Sequence, residues 1–133
     1  MKVTVTAEES LRVELTGEAL TIEAPTADLH YSPFHMLANA LGACSLFVLQ
    51  SWASNKGVSV EGPKIDVSWT FVESEHRVGF MEVKLHWPAL PAELWPRAIR
   101  AANLCGIHKT LTNPPTILVV APDAQSPAIE APA

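Results

Sequence analysis

The chain has 133 residues, the size of one domain, since domain lengths peak at about 100 to 150 residues. Charged residues make up 17% of the chain and apolar residues 48%, whereas an average globular protein carries about 25% charged residues. This composition excludes intrinsic disorder. The net charge of −5 and the scatter of the nine Lys and Arg residues argue against binding to nucleic acid. The shortage of charge predicts apolar surface that a ligand, a membrane or a partner chain covers.

The N-terminal part of the chain is predicted to be β-structure. Three short runs in which apolar and polar residues alternate, Lys2–Thr6, Leu11–Leu15 and Leu20–Glu23, predict three strands of a meander. The first run has neither the apolar segment nor the cleavage site of a signal peptide. We therefore expect a cytoplasmic protein.

Residues 29–55 contain no charged side chain. Ser32 and Pro33 are typical of a helix start and Gly57 of a helix end, so a helix is predicted over Pro33–Asn55. Its most apolar run, roughly 14 residues, is shorter than the about 20 that span a bilayer, which favours a buried helix and no membrane partner. Because the helix is apolar on nearly every face, one small sheet cannot cover it, and a second chain is expected to do so.

The second half of the chain continues the pattern of strands and helices. The predicted elements are a strand, a polar loop, a strand, a helix and a last strand, at residues 65–71, Glu73–Gly79, 81–87, Pro91–Leu104 and Ile117–Ala121. The fold class is therefore α+β, with a long buried central helix. We expect a single domain over residues 1–121 and a poorly ordered tail over residues 122–133.

Candidate chemistry depends on two cysteines, Cys44 and Cys105. The sequence has no glycine-rich phosphate loop, no Gly-x-Ser-x-Gly and no His-Glu-x-x-His motif, so no nucleotide and no other cofactor is predicted. Cys44 lies among apolar neighbours in the predicted helix, which by themselves raise the pKa of a thiol and also suit a small buried residue. Cys105 precedes Gly106 just after the predicted helix Pro91–Leu104, where the Cys105 thiol has the freedom to approach the Cys44 thiol.

A metal site is the alternative use of the cysteines. Cys105 and His108 have the spacing of half a zinc motif, to which Cys44 and one more histidine would add. The second paired motif is missing, so we predict no metal.

The segments around both cysteines resemble the motifs of the OsmC/Ohr family, the organic hydroperoxide resistance proteins. They read Ser-Pro-Phe-His-Met-Leu at 32–37, Ala-Leu-Gly-Ala-Cys at 40–44 and Cys-Gly-Ile-His-Lys-Thr-Leu at 105–111. The order of predicted elements over residues 1–121 also matches. The resemblance implies an intertwined homodimer, in which sheets from both subunits enclose each central helix, and a role in antioxidant stress response.

The resemblance further implies a thiol-dependent peroxidase for organic hydroperoxides. In that reading Cys44 attacks the peroxide and becomes a sulfenic acid, Cys105 resolves it to a disulfide, and an external dithiol reduces the disulfide. The substrate pocket is expected to be lined by apolar side chains, namely Phe34, Leu37, Leu41 and Phe47.

One residue departs from the peroxidase pattern. Peroxidases of this family have a glutamate just after the proline that opens the helix, and it holds an arginine over the nucleophilic sulfur; this chain has Phe34 there. Arg12 is the only arginine before Cys44, and His35 or His108 are alternative cations or proton relays. The alternative function is an OsmC-like dimer without peroxidase activity that binds an apolar ligand or responds to redox state.

Overall fold

The computed structural model describes residues 1–59, 62–123 and 125. Within these residues, five strands form one sheet in the order β3-β1-β2-β4-β5, and α1 packs against it and against α2 and α3, which confirms the α+β class. The elements are β1 (Lys2–Ala7), β2 (Ser10–Glu14), β3 (Thr21–Glu23), α1 (Pro33–Lys56), β4 (Lys64–Val72), β5 (Arg77–His86), α2 (Trp95–Ala102) and α3 (Gly106–Thr112), with short 3₁₀ turns at Glu73–Glu75 and Ala92–Leu94.

The third strand corrects the predicted meander. β1 and β2 form the expected antiparallel pair, but β3 runs parallel to β1 on its far side, because β4 occupies the other edge of β2. The segment between β2 and β3 contacts the N-terminus on its way to that edge of the sheet. The ammonium group of Met1 donates to Thr16 Oγ1 at 3.1 Å and to the Glu18 carbonyl at 2.9 Å, and the Thr21 N–H donates to the Met1 carbonyl at 3.0 Å.

The central helix α1 begins at the predicted Pro33 and ends at Lys56, one residue beyond the predicted end. Ser32 is its N-cap and accepts a hydrogen bond from the His35 N–H at 3.2 Å. Gly57 ends it in the left-handed conformation, with φ of 68°, which a residue without Cβ adopts readily. One face of α1 packs on the sheet and on α2 and α3, whereas Met36 and Phe47 on the other face are about half exposed. Within a single chain, α1 is thus covered on one side only.

The length and composition of α1 would also suit a membrane span. In the structure, 39% of its 18-residue apolar window is buried against the rest of the protein. The buried side chains belong to one core cluster with β1, β2 and β4, which includes Val3, Leu11, Val13, Ala38, Leu46, Leu49, Ile65 and Val67. The core helix of a soluble protein passes the same test of length and composition.

Gly42 determines how closely α1 approaches the sheet. A Cβ at this position would lie 3.0 Å from Val13 Cγ2 and 3.1 Å from Val67 Cγ2, both on stiff β-branched side chains of the sheet. We expect Gly42→Ala to lower the free energy of unfolding by about 1 to 2 kcal/mol, because overpacking exceeds the gain in helix propensity. Urea unfolding measures this. Gly106→Ala, whose Cβ meets nothing within 4 Å, is the matched control, and stabilisation by Gly42→Ala would contradict the close packing.

The second half of the chain differs from the prediction in its helices. The predicted loop Glu73–Gly79 is shorter, because β5 already begins at Arg77 after a 3₁₀ turn. The predicted helix Pro91–Leu104 is limited to α2, with Pro96 in its first turn, where the missing N–H needs no partner. Residues 106–112, which lie between the predicted helix and the predicted last strand, form the additional helix α3.

The predicted last strand is not formed. Residues 117–121 do not form a strand, and Ile117 and Val119 are 81% and 97% exposed. A strand requires a neighbouring strand to pair with its backbone groups, and none pairs with this segment in the part of the chain that the structure describes. The predicted tail over residues 122–133 lies outside the described residues, apart from 122, 123 and 125.

Candidate functional site

The fold brings the two cysteines into contact. Cys44 is on α1, and Cys105 lies between α2 and α3. The thiol of Cys105 donates a hydrogen bond to the sulfur of Cys44, and both are free cysteines. Cys44 is half-buried, whereas Cys105 is 0% exposed. The two cysteines lie far apart in the sequence but form one dithiol pair in the folded protein.

The first turn of α3 surrounds this dithiol with N–H donors. Cys105 is the N-cap of α3, and its sulfur accepts a hydrogen bond from the His108 N–H at 3.4 Å. The N–H groups of Gly106 and Ile107 donate to the sulfur of Cys44. Sequence reasoning missed this helix. The available signals were a thiol at the N-cap position and Pro114 directly after the helix end.

These contacts shift the pKa values of the two cysteines in opposite directions. Burial raises the pKa of Cys44, but the hydrogen bonds from Cys105, Ile107 and Gly106 outweigh it and hold the pKa below the ordinary 9.0. Burial and the hydrogen bond to Cys44 raise the pKa of Cys105 above 9.0, although the His108 N–H opposes this. Cys44 is therefore the better thiolate and Cys105 the thiol that stabilises it.

A cavity of about 790 Å³ lies between α1, β5, α2 and α3. Phe34, Leu37 and Leu41 line it, as three of the four expected pocket residues. The fourth, Phe47, lies on the uncovered face of α1. Neither Cys44 nor Cys105 is among the described residues that line the cavity, so the apolar space and the dithiol are separate in one chain.

A comparison with protein families finds a match over most of the chain. The family model described as OsmC-like protein matches residues 25–119, which include both cysteines, α1 and α3.

The chain belongs to the OsmC-like family.

No curated protein and no solved structure matched the chain. Membership in the OsmC-like family suggests a peroxidase or stress-related function, and proteins of this family are typically soluble and commonly dimers.

In this OsmC-like protein an aromatic cluster occupies the place of the glutamate of the peroxidase pattern. The ring of Phe34 packs edge-on against Phe71, with 5.3 Å between centroids, and Phe71 contacts His76 at 5.5 Å. His76 is in the left-handed region with φ of 52°. The neighbouring Arg77 lines the cavity and pairs with Glu75. Arg77 was not singled out from the sequence, because only the fold brings β5 beside α1.

Arg12, the arginine predicted to activate Cys44, lies on the outer face of the OsmC-like sheet. It alternates with the buried Leu11 and Val13 and forms a bidentate ion pair with Asp66, at 2.6 and 2.9 Å. His86 Nε2 contacts the same carboxylate at 2.8 Å. The structure thus joins Arg12 to β4 and β5, and does not bring it to the cysteines.

The pair of Arg12 and Asp66 predicts acid-dependent stability. The hydrogen bond from Arg12 holds the pKa of Asp66 below its ordinary 3.8; burial opposes this and His86 assists. A lowered pKa contributes stability above pH 3.8 that is lost as the pH falls through the lower, folded value. We expect Asp66→Asn to cost about 1 kcal/mol at pH 7, given solvent screening, and less at pH 2, where more of the Asp66 carboxylate is protonated.

Urea unfolding at both pH values measures this difference. Glu82→Gln on β5 is the matched control and should change little, because it removes the partner of Lys84 in an ion pair whose two side chains are both more than half exposed. An equal cost of Asp66→Asn at pH 7 and pH 2 would contradict the role of the ion pair.

His35 is 1% exposed, and the structure uses both of its ring nitrogens. Nε2 donates to the Ala7 carbonyl at 3.0 Å, so Nδ1 is the acceptor for the Ser32 N–H at 3.2 Å. The ring also packs edge-on against Trp69, at 4.8 Å between centroids. These contacts give His35 a structural role at the start of α1.

His108, the other histidine predicted as a cation or proton relay, lies close to the dithiol. Its N–H donates to Cys105 and its side chain lines the cavity. Among the described residues, no group of three or more His, Cys, Asp and Glu side chains is arranged to hold a metal ion.

Proposed function

We propose that this OsmC-like protein is a thiol-dependent peroxidase that reduces organic hydroperoxides, with Cys44 as the peroxidatic and Cys105 as the resolving cysteine. The observation that carries the proposal is the set of hydrogen bonds from Cys105, Gly106 and Ile107 to the sulfur of Cys44. Backbone N–H groups and a thiol thereby take the place of the arginine that Phe34 cannot hold. They stabilise a thiolate, the nucleophile that peroxide reduction needs.

The first step oxidises Cys44. The thiolate attacks the terminal oxygen of the hydroperoxide, a sulfur–oxygen bond forms, and the oxygen–oxygen bond breaks. Cys44 becomes a sulfenic acid and the alkoxide leaves. The alkoxide takes a proton from the Cys105 thiol and becomes the alcohol, so one hydroperoxide yields one alcohol.

The second step joins the two cysteines. Once Cys44 has lost its negative charge, the hydrogen bond and the charge that raise the pKa of Cys105 are gone. The Cys105 thiolate then attacks the sulfenic sulfur and expels hydroxide, which leaves as water after protonation. Oxidation of Cys44 itself therefore lowers the pKa of Cys105, which burial alone then continues to raise.

An external dithiol completes the cycle. Its thiolate opens the disulfide to a mixed disulfide, and its second thiol displaces the protein, which recovers both cysteines. We propose the cytoplasm as the compartment, because its reducing systems supply dithiols.

We also propose that the protein acts as a homodimer. Four apolar side chains that are each more than half exposed in one chain support this, namely Met36, Phe47, Ile117 and Val119. Cys44 borders the uncovered face of α1, so a second copy there would shield the thiolate from water. Phe47 would join Phe34, Leu37 and Leu41 in the surroundings of the substrate only in that dimer.

Steady-state kinetics of the full chain test the peroxidase. With tert-butyl hydroperoxide and dithiothreitol we expect one alcohol for each hydroperoxide consumed, and a lower kcat/KM for hydrogen peroxide, which has no apolar part. Without dithiol, consumption should stop after one equivalent, with both thiols lost. A rate no higher than that of dithiothreitol alone would refute the proposal.

The pH profile of alkylation supplies an independent test. Because hydrogen bonds lower the pKa of Cys44, its reaction with iodoacetamide, followed by peptide mapping, should have a midpoint below pH 9.0. The midpoint for Cys105 should lie above 9.0. The same midpoint for both cysteines would contradict their division into nucleophile and resolving thiol.

The cavity favours a second candidate function, an OsmC-like dimer that binds an apolar ligand without turning over peroxide. The support is that the apolar space lined by Phe34, Leu37 and Leu41 does not include the cysteines. Fluorescence titration with an apolar dye distinguishes the functions. Saturable binding without any turnover of peroxide favours the binding function, whereas turnover with which the dye competes favours the peroxidase.

A further inference from the structure

The first turn of α3 depends on sulfur for its hydrogen bonds. The N–H groups that precede the first intrahelical bond, from Lys109 N–H to the Cys105 carbonyl at 3.0 Å, belong to Gly106, Ile107 and His108. The first two donate to Cys44 and the third to Cys105. At seven residues, α3 is shorter than the about 12 that an isolated helix needs, so it depends on these caps and on its packing against α1.

We propose that α3 is a redox-sensitive latch, closed while the two separate sulfurs cap its first turn and released when they join in a disulfide. The inference rests on the disulfide of the proposed function. Its formation removes two protons and two electrons from the thiols, which the hydroperoxide takes up. The sulfurs must then approach to about 2.05 Å, and the thiolate that accepts the N–H groups becomes a neutral disulfide sulfur, a weaker acceptor.

Release of α3 would solve a problem of access. Cys105 is 0% exposed in the reduced protein, although an external dithiol must reach the disulfide to restore the enzyme. His108, Leu111 and Thr112 of α3 form part of the cavity wall. Because the first turn of α3 also contacts both sulfurs, its movement exposes the disulfide. The reduced site stays shielded, and the oxidised site admits the reductant.

Hydrogen exchange followed by mass spectrometry tests the latch on the full chain. Diamide, which takes up two electrons and two protons to become a hydrazine, forms the disulfide without any peroxide. Because loss of an N-cap typically corresponds to about a fivefold change in helix opening, we expect amides of residues 106–112 to exchange about fivefold faster after oxidation. Amides of α2 and β4 should be unchanged.

Two variants at Cys105 provide matched controls. Cys105→Ser keeps an N-cap oxygen and cannot form the disulfide, so α3 should exchange slowly with or without diamide. Cys105→Ala lacks the cap, so α3 should exchange fast even when reduced. Unchanged or slower exchange in the oxidised parent, slow exchange in reduced Cys105→Ala, or an equal increase in α2 and β4 would each overturn the latch.

The outcome separates this inference from the proposed function. If hydroperoxide is turned over through the disulfide while exchange of α3 is unchanged, only the latch is wrong. If diamide forms no disulfide between Cys44 and Cys105, the resolving step and the latch both fail.

Discussion

Cys44→Ser is expected to abolish hydroperoxide turnover, with a loss of kcat/KM on the order of 10³-fold or more. A serine hydroxyl is not ionised near neutral pH. The hydrogen bonds from Cys105, Gly106 and Ile107, which stabilise a thiolate, do not ionise a hydroxyl. Oxygen also cannot accept the peroxide oxygen as sulfur does, since no stable product equivalent to the sulfenic acid forms. The initial rate with tert-butyl hydroperoxide and dithiothreitol measures the loss.

Cys105→Ser is the matched comparison for that experiment, because it keeps the nucleophile and removes the resolving thiol. We expect it to consume one equivalent of hydroperoxide rapidly and to accumulate a sulfenic acid on Cys44, which a dimedone adduct detects. Circular dichroism confirms that both variants fold. Turnover by Cys44→Ser at the parent rate would refute a role for Cys44 as the nucleophile.

The largest expected effect on stability is that of His35→Ala, about 3 kcal/mol in the free energy of unfolding. The change leaves the Ala7 carbonyl and the Ser32 N–H without the ring nitrogens that pair with them, at 3.0 and 3.2 Å. It also opens a cavity beside Trp69 in the core. Urea unfolding measures the effect.

His35→Gln separates a structural from a catalytic role for this residue. Glutamine at this position also suits the capping box of α1, so part of the stability should return, while no imidazole remains to relay a proton. We expect the folded His35→Gln protein to keep the parent kcat/KM. A loss of 100-fold or more in the folded variant would instead make His35 catalytic, since general acid–base groups contribute about 10² to 10⁴.

The elements that follow from local signals could be predicted from the sequence. Ser32, Pro33 and Gly57 determine the ends of α1, because caps and a left-handed glycine act within a few residues. Alternation of apolar residues likewise predicts β1, β2 and β4. The partner of β3 and the absence of a strand over residues 117–121 could not be predicted, because pairing depends on which edges remain free after distant strands have joined.

The candidate site could likewise be predicted only in part from the sequence. The family resemblance selected Cys44 and Cys105. Arg12 was a candidate because it is the only arginine before Cys44, yet it forms its ion pair with Asp66 on the outer face of the sheet. Alternation along β2 was a usable signal, since Arg12 between Leu11 and Val13 must point away from the core.

By itself, the sequence determined the α+β class, the long apolar helix, the shortage of surface charge and the two cysteines. These are properties of composition and of short-range pattern, which need no knowledge of tertiary contacts. Only the tertiary structure decided what lowers the pKa of Cys44, because its partners are a thiol and backbone N–H groups at the start of α3, about 60 residues away along the chain. Every residue except proline has a backbone N–H donor, so these donors leave no mark in the sequence, and their direction is known only once the helix that aligns them is in place.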